Sequence, residues 1–248
     1  LEWWSFDVDW STHANTTLSA ETSIDVAECD SGLCGLTSVS CFPQPGSFTT
    51  LDPLREVIMN RLQYMNHGDR ETLVGNFVVD VDGTDHGGVR WFELERAGGS
   101  WTLKQEGTYS IDADNRWMAA SSMDQSGNIA LAYNISSTST YPSLRYTGRL
   151  AGDPVGVMTQ PESVIHAGTS PNSSNRYGDY SSMNIDPVDD CTFWYVTQYL
   201  PTTSSTGWRL RIGAFKFDEC GTADFTLEAG PDSVEICFGD EAVYGVTI

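Results

Sequence analysis

The sequence predicts an all-β protein, a β-propeller of which this chain supplies about 3.5 four-stranded blades. Three observations carry that expectation. The apolar runs are rich in Val, Ile, Tyr, Phe, Trp and Thr and alternate with period two, as strands with one buried face require. Turn signals separate the runs: His67-Gly68-Asp69-Arg70, Asp82-Gly83-Thr84-Asp85, Ala97-Gly98-Gly99-Ser100, Asp124-Gln125-Ser126-Gly127-Asn128 and Pro187-Val188-Asp189-Asp190. The third observation is internal repetition. Arg116-Trp117-Met118-Ala119-Ala120-Ser121-Ser122-Met123 returns 60 residues later as Arg176-Tyr177-Gly178-Asp179-Tyr180-Ser181-Ser182-Met183. Each copy leads into an acidic turn and an aromatic strand, and a weaker copy begins at Arg61. Four antiparallel strands recurring every 55–60 residues describe a propeller blade.

The elements follow in order. Residues 2–10 and 22–27 read as the last two strands of an earlier blade. Leu51 to Asn60 reads as a helical turn or an extended link. One unit places strands at 57–65, 72–81, 88–96 and 101–109, and the next at 117–124, 129–135, 143–149 and 162–167. A last unit places three strands at 179–186, 191–199 and 208–217 and lacks a fourth. Residues 1–220 are thus expected to form the C-terminal half of a six- to eight-bladed ring. Residues 221–248 read as a linker and the opening strands of an immunoglobulin-like β-sandwich. The chain opens inside a strand-like segment, so a piece of a longer polypeptide is expected. The remaining part of the ring, or another chain, is then the expected partner at both exposed blade faces.

Charge narrows the partners. Thirteen basic residues, of which only Lys104 and Lys216 are lysines, face 34 acidic ones, giving a net charge of −21. Such a surface repels phosphate backbones and acidic membranes, so nucleic acid is excluded as an expected partner. No apolar run reaches the length of a membrane span.

None of the six cysteines has C-x-x-C spacing, which favours disulfides and an oxidising compartment over zinc. Cys191 opens one predicted strand and Cys220 closes the next. A hairpin centred at 205–206 sets them opposite each other and predicts the Cys191–Cys220 bond. Cys29–Cys41 is expected to close the loop before Pro43, leaving Cys34 and Cys237 over. Asn15, Asn134 and Asn172 stand in N-x-S/T sequons.

The segments RWMAASSMDQSGNIALAY (116–133), YPSLRYTGRLAGDP (141–154) and RYGDYSSMNIDPVDDCTFWY (176–195) resemble a family of large secreted, mostly bacterial, proteins of unassigned function. The resemblance covers roughly residues 50–220 and implies export and a sialidase-like propeller, often followed by immunoglobulin-like domains. Ser122-Met123-Asp124-Gln125-Ser126-Gly127 is one residue longer than the Asp-box of sialidases.

Candidate chemistry is sparse. Asp80, Asp82 and Asp85 crowd a turn with Gly83, like the first half of a calcium loop, although Trp91 stands where an EF-hand would end in Glu. Asp186, Asp189 and Asp190 form a second oxygen-rich turn. A solvated polar turn is the expected role of both, with calcium the alternative and the cation expected if a metal is bound, and no organic cofactor is expected. Arg90, Arg145 and Arg211 sit at like places in three units and suit either anion binding or blade-to-blade ties. Asp179 and Tyr180 have no counterpart in the preceding repeat, where Ala119 and Ala120 stand, and are the candidate catalytic pair. The expected function is a secreted or cell-surface module with a binding or structural role. A sialidase-like glycoside hydrolase acting on extracellular glycans is the alternative.

Overall fold

Three successive antiparallel meanders make up most of the chain. The computed structural model describes residues 1–35 and 38–221 in full, and the backbone alone of 228–230 and 245–247. Apart from one 3-10 turn at His13–Asn15, the described residues contain no helix, and so none long and apolar enough to cross a membrane.

The N-terminal segment is less regular than expected. In place of two long strands it forms two ladders of two-residue strands, β1 (Glu2–Trp3) with β4 (Thr22–Ser23) and β2 (Phe6–Asp7) with β3 (Thr17–Leu18). Asp9 breaks the run, because its carboxylate accepts the Ser11 and Thr12 amides and starts the turn. Leu51 forms an extended bridge to Phe42, not a helical turn.

The first meander holds β5 (Gln63–Asn66), β6 (Glu71–Asp80), β7 (Gly87–Arg96) and β8 (Thr102–Tyr109), paired in that order. The second holds β9 (Asn115–Met123), β10 (Ile129–Ser136), β11 (Ser143–Arg149) and β12 (Ser163–His166). The third has three strands, β13 (Ser182–Ile185), β14 (Phe193–Tyr199) and β15 (Arg209–Phe215). Most of these boundaries lie close to those the turn residues predict, but β5 starts six residues later than the expected 57–65 and β13 three residues later than the expected 179–186. At Asp124 the sequence chemistry is explicit: its carboxylate accepts the amides of Ser126 and Asn128 and the Asn128 side chain, and Gly127 takes φ +84°.

The sheets stack face on face. Val74, Val89 and Trp91 of the first meet Leu131, Tyr133 and Ile135 of the second. Ala120, Ala130 and Ala132 of the second meet Met183, Phe193 and Tyr195 of the third. Every residue of β9 and β10 is buried, because both faces of the middle sheet are covered. The opposite face of the first sheet, with Phe92 and Leu94, lies under Leu1, Trp3 and Ile24.

The repeat has a packing role. Met123 is buried between the first and second sheets and Met183 between the second and third. The first strands β5, β9 and β13 come together at one groove of about 260 Å³, lined by Gln63, Ser122 and Asn184. Across it Arg61 Nη2 donates to Asn184 Oδ1 at 2.7 Å. The sheets do not close into a ring among the described residues.

Cys191 and Cys220 are bonded, with Cα atoms 5.6 Å apart, but the hairpin register differs from the one that suggested the bond. Phe193 pairs with Phe215 and Tyr199 with Arg209, so neither cysteine lies in a strand. The aromatic cluster sets this register: the Phe193 ring stacks 5.4 Å from Phe215 and meets Phe217 edge-on at 5.5 Å. The chain then turns, Cys220 N donating to Phe217 O at 3.0 Å, and brings the sulfur back.

The expected Cys29–Cys41 bond is not formed. Cys34 bonds Cys41, with Cα atoms 5.1 Å apart, and Cys29 is exposed with no disulfide partner among the described residues. Asp30 pairs with Asp80 at the end of β6, which holds Cys29 on the outside. Positive φ at Cys34 and Gly35 reverses the chain toward Cys41. Beyond Cys220, β16 (Glu228–Gly230) pairs antiparallel with β17 (Gly245–Thr247). The rest of the expected immunoglobulin-like segment, with Cys237, lies outside the described residues.

Candidate functional site

Asp179 and Tyr180 lie just before β13, on a turn closed by Ser181 N donating to Gly178 O at 3.3 Å. Gly178 is required there: its φ is +82°, and a Cβ would sit 2.1 Å from Asn134 Nδ2. The turn borders a cavity of about 430 Å³, whose other wall is Leu54, Val57, Ile58 and Met59. Val57 and Ile58 are half exposed and Tyr180 is 94% exposed, so this cleft joins apolar surface to one aromatic ring.

The carboxylate beside it is committed elsewhere. Asp179 Oδ2 accepts Arg176 Nε at 2.7 Å and Nη2 at 2.6 Å, while Arg176 Nη1 reaches Asp52 Oδ2 at 3.1 Å. The guanidinium is thus held between two acids and its pKa is raised, chiefly by the Asp179 hydrogen bond. Asp179 Oδ1 is buried with no partner among the described residues. Nothing hydrogen-bonds the Tyr180 hydroxyl among the described residues.

The arginine triad separates on inspection of its partners. Arg90 Nη2 lies 2.6 Å from Glu106 Oε2, and Arg145 Nε lies 3.9 Å from Glu162 Oε2. Arg211 is exposed on β15 with no ion pair among the described residues. Two of the three therefore serve as ties within their sheets.

An unforeseen polar centre surrounds Glu162. Its Oε1 accepts from Tyr133 at 2.7 Å and from Arg116 Nε and Nη2 at 3.1 and 3.0 Å. Arg116 also reaches Asp112, with Nη1 at 2.8 Å from Oδ1, and lies over the rings of Tyr109 and Tyr133. Burial pushes the Tyr133 hydroxyl well above its ordinary value, and the Glu162 charge adds to this. Here Tyr133 and Arg116 are both fully buried, while Glu162 is partly exposed. Arg116 stood out in the sequence as the head of the repeat. Glu162 carried no signal, since its role depends on the fold.

The acidic turns are internally satisfied. Between β6 and β7, Asp80 Oδ1 accepts the amides of Asp82 and Gly83, and its Oδ2 accepts that of Asp85. Asp82 Oδ1 accepts both donors of Thr84, and Asp85 Oδ1 accepts the Cys34 amide at 2.6 Å. Asp186 accepts the Val188 amide and the Trp194 indole. Asp189 accepts the Thr192 hydroxyl and the amides of Cys191 and Thr192, which together hold its pKa down to about 2. Asp190 occupies φ +49°, and its carbonyl accepts the Gln125 amide. Among the described residues no group of three or more His, Cys, Asp or Glu is placed to hold a metal. In this arrangement both turns use their carboxylates to cap the chain.

Of the sequons, Asn134 and Asn172 are buried and Asn15 alone is exposed. Compared with family models, with characterised proteins and with solved structures, the chain matches none.

Proposed function

We propose that the chain is part of a secreted or cell-surface β-propeller with a binding or structural role, its ring completed by further blades. The observation that carries this reading is the meeting of β5, β9 and β13 at one groove. First strands lying side by side about a common axis are the arrangement of propeller blades. The exchangeable outer faces support it too. Trp194, Leu210 and Ile212 are exposed on the third sheet, where the next blade would pack. The two disulfides favour an oxidising compartment.

A binding role is favoured over hydrolysis because the carboxylate at the open cleft is tied to Arg176 and the Tyr133 hydroxyl that meets Glu162 is fully buried. Glycans are the ligand class we assign to the cleft, with Tyr180 as a stacking platform for a sugar ring. A glycan array combined with a fluorogenic sialoside assay tests this. The expected result is retention of glycans that Tyr180→Ala loses, with no turnover. Turnover that Tyr180→Phe abolishes would overturn the module reading in favour of the hydrolase, and an array with no retained glycan would overturn the glycan assignment.

A further inference from the structure

Basic residues are scarce in this protein, 13 against 34 acidic ones, yet three of them line one cavity. The cavity, of about 380 Å³, lies between the first sheet and the loops of the second. Arg149 comes from the end of β11, Lys104 from β8, and Arg70 from the turn before β6. Gln105 and Glu93 form the floor, and Glu95 stands between the two outer cations.

Arg149 is 2% exposed. Its Nη2 donates to the Asp153 carbonyl at 2.7 Å, while its Nε is buried without a partner. No carboxylate among the described residues is ion-paired with it. The two nearby acids are committed to other donors. Asp153 Oδ2 accepts the Leu150 amide and the Thr159 hydroxyl, and Glu93 Oε2 accepts Gln105 Nε2. Without a direct ion pair, the desolvation cost of this guanidinium is offset only at longer range, by the charges of Glu93 and Asp153. Burial also raises the Glu93 pKa and lowers that of Arg149, so each is pushed toward its neutral form. At the rim, Arg70 Nε and Lys104 Nζ share the carboxylate of Glu95 at 3.4 and 3.2 Å, and Arg70 Nη1 also lies 3.4 Å from Asp69 Oδ1. Three cations thus converge on one cavity inside a molecule of net charge −21, and the buried one keeps a donor, Nε, without a partner among the described residues.

We propose that this cavity binds an oxyanion, a phosphate or sulfate group, either free or as the terminal group of a small polar molecule, between Arg149, Arg70 and Lys104. A guanidinium and an ammonium converging from two sheets suit the several oxygens of such a group. The surrounding negative field repels loosely held anions, so uptake depends on these short-range donors and not on surface charge. The volume exceeds what one free ion needs, and Gln105 and Glu93 can meet the hydroxyls of an attached body.

Calorimetric titration of the intact chain with inorganic phosphate and, separately, with glucose 6-phosphate tests the proposal, both at fixed ionic strength in sodium chloride. Saturable one-site binding is expected. The surface pair Arg70→Gln with Lys104→Gln should weaken it by about tenfold or more, since two charged donors are lost while the core is untouched. Glu95→Gln, which removes the competing carboxylate, should tighten it. Tighter binding of glucose 6-phosphate identifies an ester as the ligand, and equal or tighter binding of inorganic phosphate identifies the free ion. Absence of saturable heat with both probes, or affinities that neither variant changes, would overturn the site and leave the cavity to water.

Discussion

Single residues in this protein do two kinds of work, holding unusual backbone and holding buried charge. Gly178 is the clearest backbone case, with φ +82° and no room for a Cβ beside Asn134. Gly178→Ala should destabilise the fold by about 1–3 kcal/mol through backbone strain and displace the Asp179–Tyr180 turn. Chemical denaturation reads the first effect, and an unchanged midpoint would show that the turn relaxes freely. Glu93 is the clearest charge case. Burial raises its folded pKa above the ordinary 4.5, so the folded state prefers the protonated form. The stability it contributes is fully present below about pH 4.5 and is lost as pH rises through the folded value. Glu93→Gln should therefore melt higher than wild type at pH 7 and match it at pH 4. Asp189 has the opposite sign: its pKa is held down to about 2, so its contribution is present above the ordinary 3.8 and fades as pH falls through about 2.

At the scale of elements, strand limits follow turn chemistry while register follows the core. The acidic turn at Asp124 ends β9 where its side chain can accept the turn amides. The β14–β15 pairing instead follows Phe193, Phe215 and Phe217, which is why a register centred on the cysteines was displaced although the bond itself forms. The Cys191–Cys220 bond closes 29 residues and the Cys34–Cys41 bond 7. In the chain-entropy view, replacing the first pair with alanine should cost about 3.5 kcal/mol and the second about 2.5 kcal/mol. Non-reducing peptide mapping should recover both pairs and find Cys29 open to alkylation. A Cys29–Cys41 peptide would contradict the observed turn at Cys34.

For the whole molecule, the stacking of sheets leaves two unlike ends. The N-terminal end exposes Trp10 and Phe6, and the third sheet exposes Leu210 and Ile212 at 61% and 63%. Apolar sheet faces of this kind are association surfaces. Leu210→Ser with Ile212→Thr should change folding stability by no more than about 0.5 kcal/mol, because neither side chain is buried within the chain. The same pair should reduce concentration-dependent association in sedimentation. Unaltered association would mean that this face is not what the chain uses to meet its neighbours.

The amino-acid sequence by itself determined the strands, their turns, the repeat and the acidic character, because each of these rests on local periodicity and on side chains that bond their own backbone. It also marked Asp179 and Tyr180 as the place where two repeats diverge. Tertiary structure decided the rest. Which cysteine meets Cys41 depends on where positive φ turns the chain. Glu162 gains its role only when β12 enters the sheet beside Arg145 and Arg116. Arg149, Arg70 and Lys104 are far apart in sequence and meet only because the loops of one sheet lie over the next. Such long-range juxtapositions are set by packing, and packing leaves no period or motif in the chain for a reader to find.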